Sequence, residues 1–458
     1  MNESRRQKAR NAHEVAAAIR AATRSHVPGA LQGLISGYHP IDIAYAMTEL
    51  SGEERAAVFE LLDAAASGVV LEEVDDEIGE EMLEATEEGE LAEIIDAMPP
   101  DVGADAVSLL SAEVRHRILN RIPRDEAEEI ASLLAHSEDS AGGIMTSEVI
   151  AAPPDVTALG VIRHIRRTVV HPEAISRVYV VDRDRRLVGA VSIATLINAR
   201  DDQPLQKLME PDPVAVHPDT DQEEAVRLVD RYDLPSLPVT DDEGRLLGAI
   251  TVDDVIDVLQ HEANEDLAYV AGTSVDDLTS KSTWRTARAR VPWLLVSLGA
   301  SLLSASVIKL FSGTLQEAVL LAAFIPVITA MSGNSGLQSS MVTVRSLALG
   351  LLKGPRLITL VLRQLPVALL VAVACGVTGM AAGVLVLGHP GYGLIVGTAM
   401  FCAICLGTLM GSLVPLVFDR TGVDPALASG PFVTTVNDAI SLLIYLSIAT
   451  GMLRLLRL

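Results

Sequence analysis

From residue 292 to residue 453 the chain consists of five apolar segments, at roughly 292–311, 317–342, 357–387, 391–418 and 427–453. Each is long enough to cross a bilayer, which takes about 20 helical residues. In lipid, only helices or a closed barrel can satisfy their own backbone polar groups. The last third of the chain is therefore expected to be an all-α membrane domain, residues 291–458, with five spanning helices per subunit.

Charge divides at the same place. Residues 291–458 hold four acids (Glu317, Asp419, Asp424 and Asp438) and eight bases, whereas residues 1–290 hold 56 acids and 27 bases, so the two parts carry about +4 and about −29. So acidic a first part argues against nucleic acid and anionic lipid as its partners and for divalent cations. The opening MNESRRQKAR is basic and is followed by no apolar core, so no cleaved signal is expected. Arg285, Arg288 and Arg290 precede the first span and Arg345, Lys353 and Arg356 follow the second, while the loop around His389 has no Lys or Arg. That pattern predicts an inner-membrane, multi-pass protein with a cytoplasmic N-terminus and the C-terminus outside, although Arg454 and Arg457 run against the rule. Cys402 and Cys405 form a CxxC inside an apolar helix and, with Cys375, read as small packing residues.

The first part is organised in pieces. After a basic tail (1–11), residues 12–136 show apolar residues at helical spacing, with starts marked by Pro, Ser, Gly or Asp. They predict an acidic, all-α helical-repeat N domain. Residues 178–197, VYVVDRDRRLVGAVSIATLI, align without gaps on 237–256, LPVTDDEGRLLGAITVDDVI, at an offset of 59. Each copy reads strand, tight turn, strand, helix, and each is preceded by a helix, LGVIRHIRR or QEEAVRLVDRY. This pattern resembles a tandem pair of cystathionine-β-synthase-type (CBS) modules, here 137–203 and 204–260, an α/β pair whose cleft can hold ATP or another adenine nucleotide. Modules that hold ribose place an Asp three residues after a Ser or Thr at the end of the second strand. The second copy has Thr251 and Asp254 and the first has Ser192 and Thr195, so one nucleotide site or none is expected. A carboxylate-rich helix then connects to the membrane domain over 254–290. Its His261-Glu262 opens no HExxH motif, because Glu265 stands at the fifth position.

Asp438 lies deep in the last apolar segment. A carboxylate at the bilayer centre costs roughly 2.5 kcal/mol or more, and by default such an acid marks an ion path. Thr434, Asn437, Asp438 and Ser441 follow i, i+3, i+4, i+7 and share one helix face. These oxygens, with no His or Cys, suit Mg²⁺ or Ca²⁺ rather than Zn²⁺ or Cu²⁺. One carboxylate cannot neutralise a divalent ion, whereas two Asp438 across the axis of a homodimer can. In the second span Gly333-Asn334-Ser335-Gly336 reads either as a packed kink or as an unwound turn lining a polar path. The GxxxG pairs Gly379/Gly383 and Gly407/Gly411 read as close packing.

FIPVITAMSGNSGLQSS with VRSLALG, and GVDPALASGPFVTTVNDAISLLIY, resemble the signature segments of the MgtE family of magnesium channels. EDSAGGIMT (138–146) resembles that family's junction between its N domain and its CBS pair. The resemblance covers essentially the whole chain. It implies a homodimer with one pore on its axis, Asp438 as the ion-binding aspartate, and Asn334, Asp424 and Ala428 along or near the pore. It further implies regulatory metal positions at Asp101 and Asp105 in the N domain and at Asp221, Glu223, Asp230 and Asp233 in the second CBS module. Asp254, Asp257, Glu262, Glu265 and Asp266 fill that role on the connecting "plug" helix. The chain departs from the family at Ser332 for Gly, Gly430 for Asn and Ser441 for Gly, which leaves open the selectivity among Mg²⁺, Co²⁺ and Ca²⁺.

The function expected from the sequence is a Mg²⁺-selective uptake channel, closed when cytosolic Mg²⁺ bridges the acidic domains, with no enzyme activity. An ion-coupled transporter or exporter of divalent cations is the alternative, and a membrane-tethered nucleotide sensor a third class.

Overall fold

The computed structural model describes residues 2–25, 27, 29–167, 175–274, 283–348, 356–428 and 430–456. The chain forms two compact units, 1–259 and 260–458, and the division falls inside one helix. Lys353 and Arg457, two of the charges used above to orient the spans, lie outside the described residues.

The first unit opens with ten helices: α1 (Asn2–Ser25), α2 (Ala30–Ile35), α3 (Pro40–Met47), α4 (Gly52–Phe59), α5 (Ala64–Glu73), α6 (Asp76–Ala85), α7 (Glu88–Asp96), α8 (Pro100–Ser108), α9 (Ala112–Leu119) and α10 (Arg124–Leu133). Helix α1 takes in residues expected to be a basic tail, so helical structure starts before residue 12. The starts follow the punctuation in the sequence. Asp63 Oδ1 accepts from the Ala66 N–H at 2.8 Å, and Pro40 and Pro100 occupy first-turn positions where no donor is needed. The helices contribute buried side chains to a common core, among them Ile43, Met47, Met82, Leu91, Ile95, Ile118 and Ile130. Buried Arg55 is admitted by pairing with Glu81 and by donating from Nε to the Met47 carbonyl at 3.0 Å.

The two CBS copies repeat in register as well as in sequence. Strand β1 (Ala151–Ala152), α11 (Ala158–Ile165), β2 (Arg177–Val181), β3 (Leu187–Ser192) and α12 (Ile193–Asn198) make the first. Strand β4 (Glu210–Pro211), α13 (Gln222–Tyr232), β5 (Ser236–Thr240), β6 (Leu246–Thr251) and α14 (Val252–Ala271) follow. Tyr179 faces Ala190 across β2–β3, and Pro238 faces Ala249 across β5–β6, so both partners are displaced by the same 59 residues. The sheets do not divide where the repeat does. Thr146 exchanges backbone hydrogen bonds with Ala249 at 2.9 Å, which lends the segment before the first copy to the second sheet. In return β4, from the second copy, pairs with β3 of the first. Each module thus lends an edge to the other and covers an exposed ladder.

The second unit contains five helices long and apolar enough to span a membrane, among the described residues. They are α15 (Thr283–Leu310), then, after the short α16 (Ser312–Glu317), α17 (Ile325–Ala348), α18 (Arg356–Leu387), α19 (Pro390–Thr421) and α20 (Pro431–Leu456). One expectation is corrected. The connecting helix does not run over 254–290: α14 ends at Ala271, where Gly272 takes φ +74° and Thr273 N–H closes back on the Ala268 carbonyl, and Thr283 already belongs to the first span. Of the two readings of Gly333–Gly336, the packed one holds and the unwound one does not, because α17 is continuous through them.

Glycine and hydroxyl groups explain why α17 stays intact. A Cβ at Gly407 would stand 2.7 Å from the Ser332 carbonyl, and one at Gly411 would collide with the Gly336 carbonyl, so α17 and α19 touch backbone to backbone. Along the same seam Ser332 Oγ donates to the Ala403 carbonyl at 2.9 Å, and the pairs Ser335–Thr408 and Ser339–Ser412 meet at 2.6 Å. The other GxxxG pair packs as expected: Gly379 abuts Met400 and Gly383 abuts Gly393 across α18 and α19.

Candidate cation site

Asp438 stands two turns into α20, half-buried. Opposite it is Gly333 of α17, where an added Cβ would lie 3.5 Å from Asp438 Oδ1. The polar run in α17 therefore supplies closeness: its glycine lets a neighbouring backbone approach the carboxylate. Asn334 follows with its side chain exposed.

The face expected to carry Thr434, Asn437, Asp438 and Ser441 divides its work. Asn437 is 1 % exposed, lies against Gly336, and its Nδ2 reaches toward the Gly407 carbonyl at 3.5 Å. Ser441 is buried too, and its Oγ donates to the Asp438 carbonyl at 3.1 Å. Thr434 remains half-buried beside the carboxylate's own half-open position. Asp424 is exposed near the start of the α19–α20 connection; its Oδ1 accepts from the Ala426 N–H at 2.8 Å and caps the 3-10 turn Pro425–Ala428, which contains Ala428.

Helix α14 ends at this connection. Burial, then the Asp424 carboxylate, raises the Asp266 carboxyl above its ordinary range, while Arg345 opposes the shift. Gly430, immediately before α20, receives the helix end: a Cβ there would run into the Tyr269 carbonyl and stand 3.0 Å from the Val270 carbonyl. Tyr269 OH donates to Glu265 Oε1 at 2.5 Å, its ring lies 6.2 Å from Trp293, and burial with that carboxylate holds its phenol well above the usual range. Sequence reasoning named Glu265 and Asp266 but missed Tyr269, whose i+4 spacing from Glu265 was the available signal.

In the first unit the named carboxylates gather around α8. Asp101 Oδ1 accepts from Thr146 Oγ1 at 3.2 Å, and removal from water raises its carboxyl. Asp105 is pushed up to about 7 by partial removal from water and then by Asp101, Glu138, Asp76 and Glu72, although its edge stays open to solvent. Asp254, also pushed up to about 7 chiefly by burial, accepts from Thr251 Oγ1 at 2.6 Å and feels Asp101. Asp257 is raised by burial. Glu72, Asp76 and Glu138 were not singled out individually, though the first two belong to the acidic run 72–81 at i, i+4 spacing.

The remaining acids stand apart from that group. Asp221 caps α13 by accepting from the Glu223 N–H at 2.9 Å, Asp233 closes the helix in the left-handed region at φ 50°, and Asp230 is exposed. Among the described residues no three His, Cys, Asp or Glu side chains converge as a metal cage within one chain. The donor chemistry still fits hard divalent cations. Asp105 and Asp254 each feel the Asp101 charge in partial burial, and a cation would relieve that repulsion.

Residues 325–448 match the family model of the divalent cation transporter MgtE, 38–139 that of the MgtE intracellular N domain, and 141–202 and 205–261 that of the CBS domain. The magnesium transporter MgtE of Thermus thermophilus is 35 % identical over 426 residues, 92 % of this chain and 94 % of its own length. That of Enterococcus faecalis is 38 % identical over 331 residues, 72 % and 73 % of the two lengths. Among solved structures, the cytosolic domain of the Mg²⁺ channel MgtE in complex with ATP is similar at 36 % identity and a TM-score of 0.51, covering 53 % of this chain and 99 % of that one.

Proposed function

The chain belongs to the MgtE family of divalent cation transporters, and from that premise we propose that it is a homodimeric Mg²⁺ channel of the inner membrane, for uptake, closed by cytosolic Mg²⁺. The observation that carries this reading is Asp438, a half-buried carboxylate in a spanning helix, approached by Gly333. Two such carboxylates across a dimer axis balance one divalent ion. Because Mg²⁺ sheds water reluctantly, they hold it through its hydration shell. A double charge gains about 4.6 kcal/mol per 100 mV on moving inward, so membrane potential suffices to drive uptake. The N-terminus is cytoplasmic and the C-terminus outside.

Closure is assigned to the acidic unit and α14. With Mg²⁺ scarce, the crowding of Asp101, Asp105 and Asp254 favours separation; with Mg²⁺ abundant, ions bridge these carboxylates and those of α14, and the closed state is favoured by differential binding. The other regulatory positions proposed are Asp221, Glu223, Asp230 and Asp233, with Asp257, Glu262, Glu265 and Asp266 on the helix. An adenine nucleotide is the second ligand proposed, at the CBS pair through Thr251 and Asp254; the similar MgtE cytosolic domain solved with ATP supports it.

The test is Mg²⁺ current in excised inside-out patches, wild type beside Asp438→Ala, as Mg²⁺ on the cytosolic face is raised. The expected result is loss of current in the variant and closure of the wild type. Current surviving in the variant removes Asp438 from the path. Wild-type flux that depends on Na⁺ or a proton gradient favours the coupled transporter.

A further inference from the structure

The C-terminal half of α20 holds a broken stretch of chain in place. Between α16 and α17 the backbone leaves helical geometry at Ala318 (φ −135°, ψ 66°) and resumes as 3-10 turns over Val319–Phe324. At membrane depth such a break is tolerated only where other groups satisfy the freed carbonyls. Tyr445 does this for Leu321: its hydroxyl donates to the Leu321 carbonyl at 2.7 Å, and both residues are wholly buried. One turn and a half farther along α20, Thr450 Oγ1 meets Thr314 Oγ1 at 2.7 Å. Leu321, Phe324 and Ile328 share one core with Tyr445 and Leu446.

These tethers are in line with the carboxylate. Tyr445 follows Asp438 by seven residues, about 10 Å and two turns along the same helix, and so lies on the same face. Gly333 lies eight residues into α17, about 12 Å from the broken stretch. The stretch leading into α17 is therefore tied to α20 at Tyr445, and α17 and α20 meet again, a similar distance along, at Gly333 and Asp438.

Resting on the conduction reading above, we infer that Tyr445 is a positioning residue for Asp438. By tying the broken stretch to α20 it sets how closely Gly333 approaches the carboxylate, and hence which hydrated cation the carboxylate accepts.

Tyr445→Phe keeps the ring and its packing and removes only the donor. In proteoliposomes the half-saturating Mg²⁺ concentration is expected to rise roughly fivefold, the effect of one lost hydrogen bond. The Ca²⁺-to-Mg²⁺ flux ratio rises with it, while closure by Mg²⁺ on the opposite face is unchanged. A hydroxyl that only stabilised the fold would lower the amount of protein and leave half-saturation and flux ratio per molecule at wild-type values; that result overturns the inference. Should Tyr445→Phe not accumulate, Thr450→Val loosens the same stretch at its second tether. A smaller shift in the same direction supports the inference, and wild-type values overturn it. Absence of Mg²⁺ flux in the wild type would instead overturn the conduction reading on which it rests.

Discussion

In the first unit carboxylates crowd one another, whereas among the described residues of the spanning helices a single half-buried one, Asp438, stands among hydroxyls and glycines. Around α8, Asp101, Asp105 and Asp254 are all raised by loss of water, and the Asp101 charge adds to the shift of the other two. Along α17 and α19, Ser332, Ser335 and Ser339 are each hydrogen-bonded, and Gly407 and Gly411 press against backbone. The first arrangement stores repulsion that a bound ion can relieve; the second is already satisfied. On the reading proposed above, ion sensitivity belongs to the acidic unit, and rigidity to the membrane unit.

The sharpest way to break this contrast is to remove that half-buried carboxylate. Asp438→Ala is expected to lower Mg²⁺ flux at least a hundredfold while leaving the protein folded, because an apolar side chain costs nothing at that depth. Flux assay beside a thermal melt of the purified protein checks both parts.

Next comes the seat of α14. Gly430→Ala places a methyl against the Tyr269 and Val270 carbonyls, neither of which can turn aside. Wild-type flux without cytosolic Mg²⁺ and failure to close with it are expected, read in the same patches.

A third measurement concerns pH. Asp105 and Asp254, at about 7 in the folded state, bind protons more tightly than in the unfolded chain, where a carboxyl titrates near pH 4. Between about pH 4 and pH 7 the folded state thus holds more protons, so stability without divalent ions is greatest at the acid end of that window and falls as pH rises through it. Protease resistance of the acidic unit in the full-length protein should fall between pH 5.5 and pH 7.5 in chelator and vary little in Mg²⁺. Equal dependence in both would break the link between crowding and ions.

The smallest effect is expected at Ser339→Ala. Removing one interhelical hydroxyl pair in a membrane costs about 0.6 kcal/mol, so the melting temperature should fall slightly and the flux stay unchanged.

Much of this was legible in the sequence because it is periodic. The 59-residue repeat reappears in the strand register, and each apolar segment became a helix close to its expected bounds. What sequence reasoning missed depends on contacts between distant segments. Gly333–Gly336 looked like a candidate break because glycine is a poor helix former in water; packing against α19 overrides that preference. The real break begins at Ala318, which is neither glycine nor proline, and is held at Leu321 by Tyr445, 124 residues away. The shared face of α20 was correctly periodic, yet its residues answer to different neighbours: Asn437 to α19, Ser441 to its own backbone, and Asp438 to Gly333. The end of α14 at Gly272 was marked by a glycine, but the acidic pattern running past it hid the stop.

The seat at Gly430 has a consequence for how quickly and reversibly α14 can settle there. The close approach is made by backbone, the Tyr269 and Val270 carbonyls against a residue without a side chain. An interface side chain typically surrenders about 0.5–1.5 kcal/mol of rotamer freedom when it is immobilised, and at this point there is none to surrender. Arrival and departure are then nearly free of an ordering cost. In the gating proposed above, the balance between them is left to charge upstream, so that a small change in ion occupancy is enough to tip it.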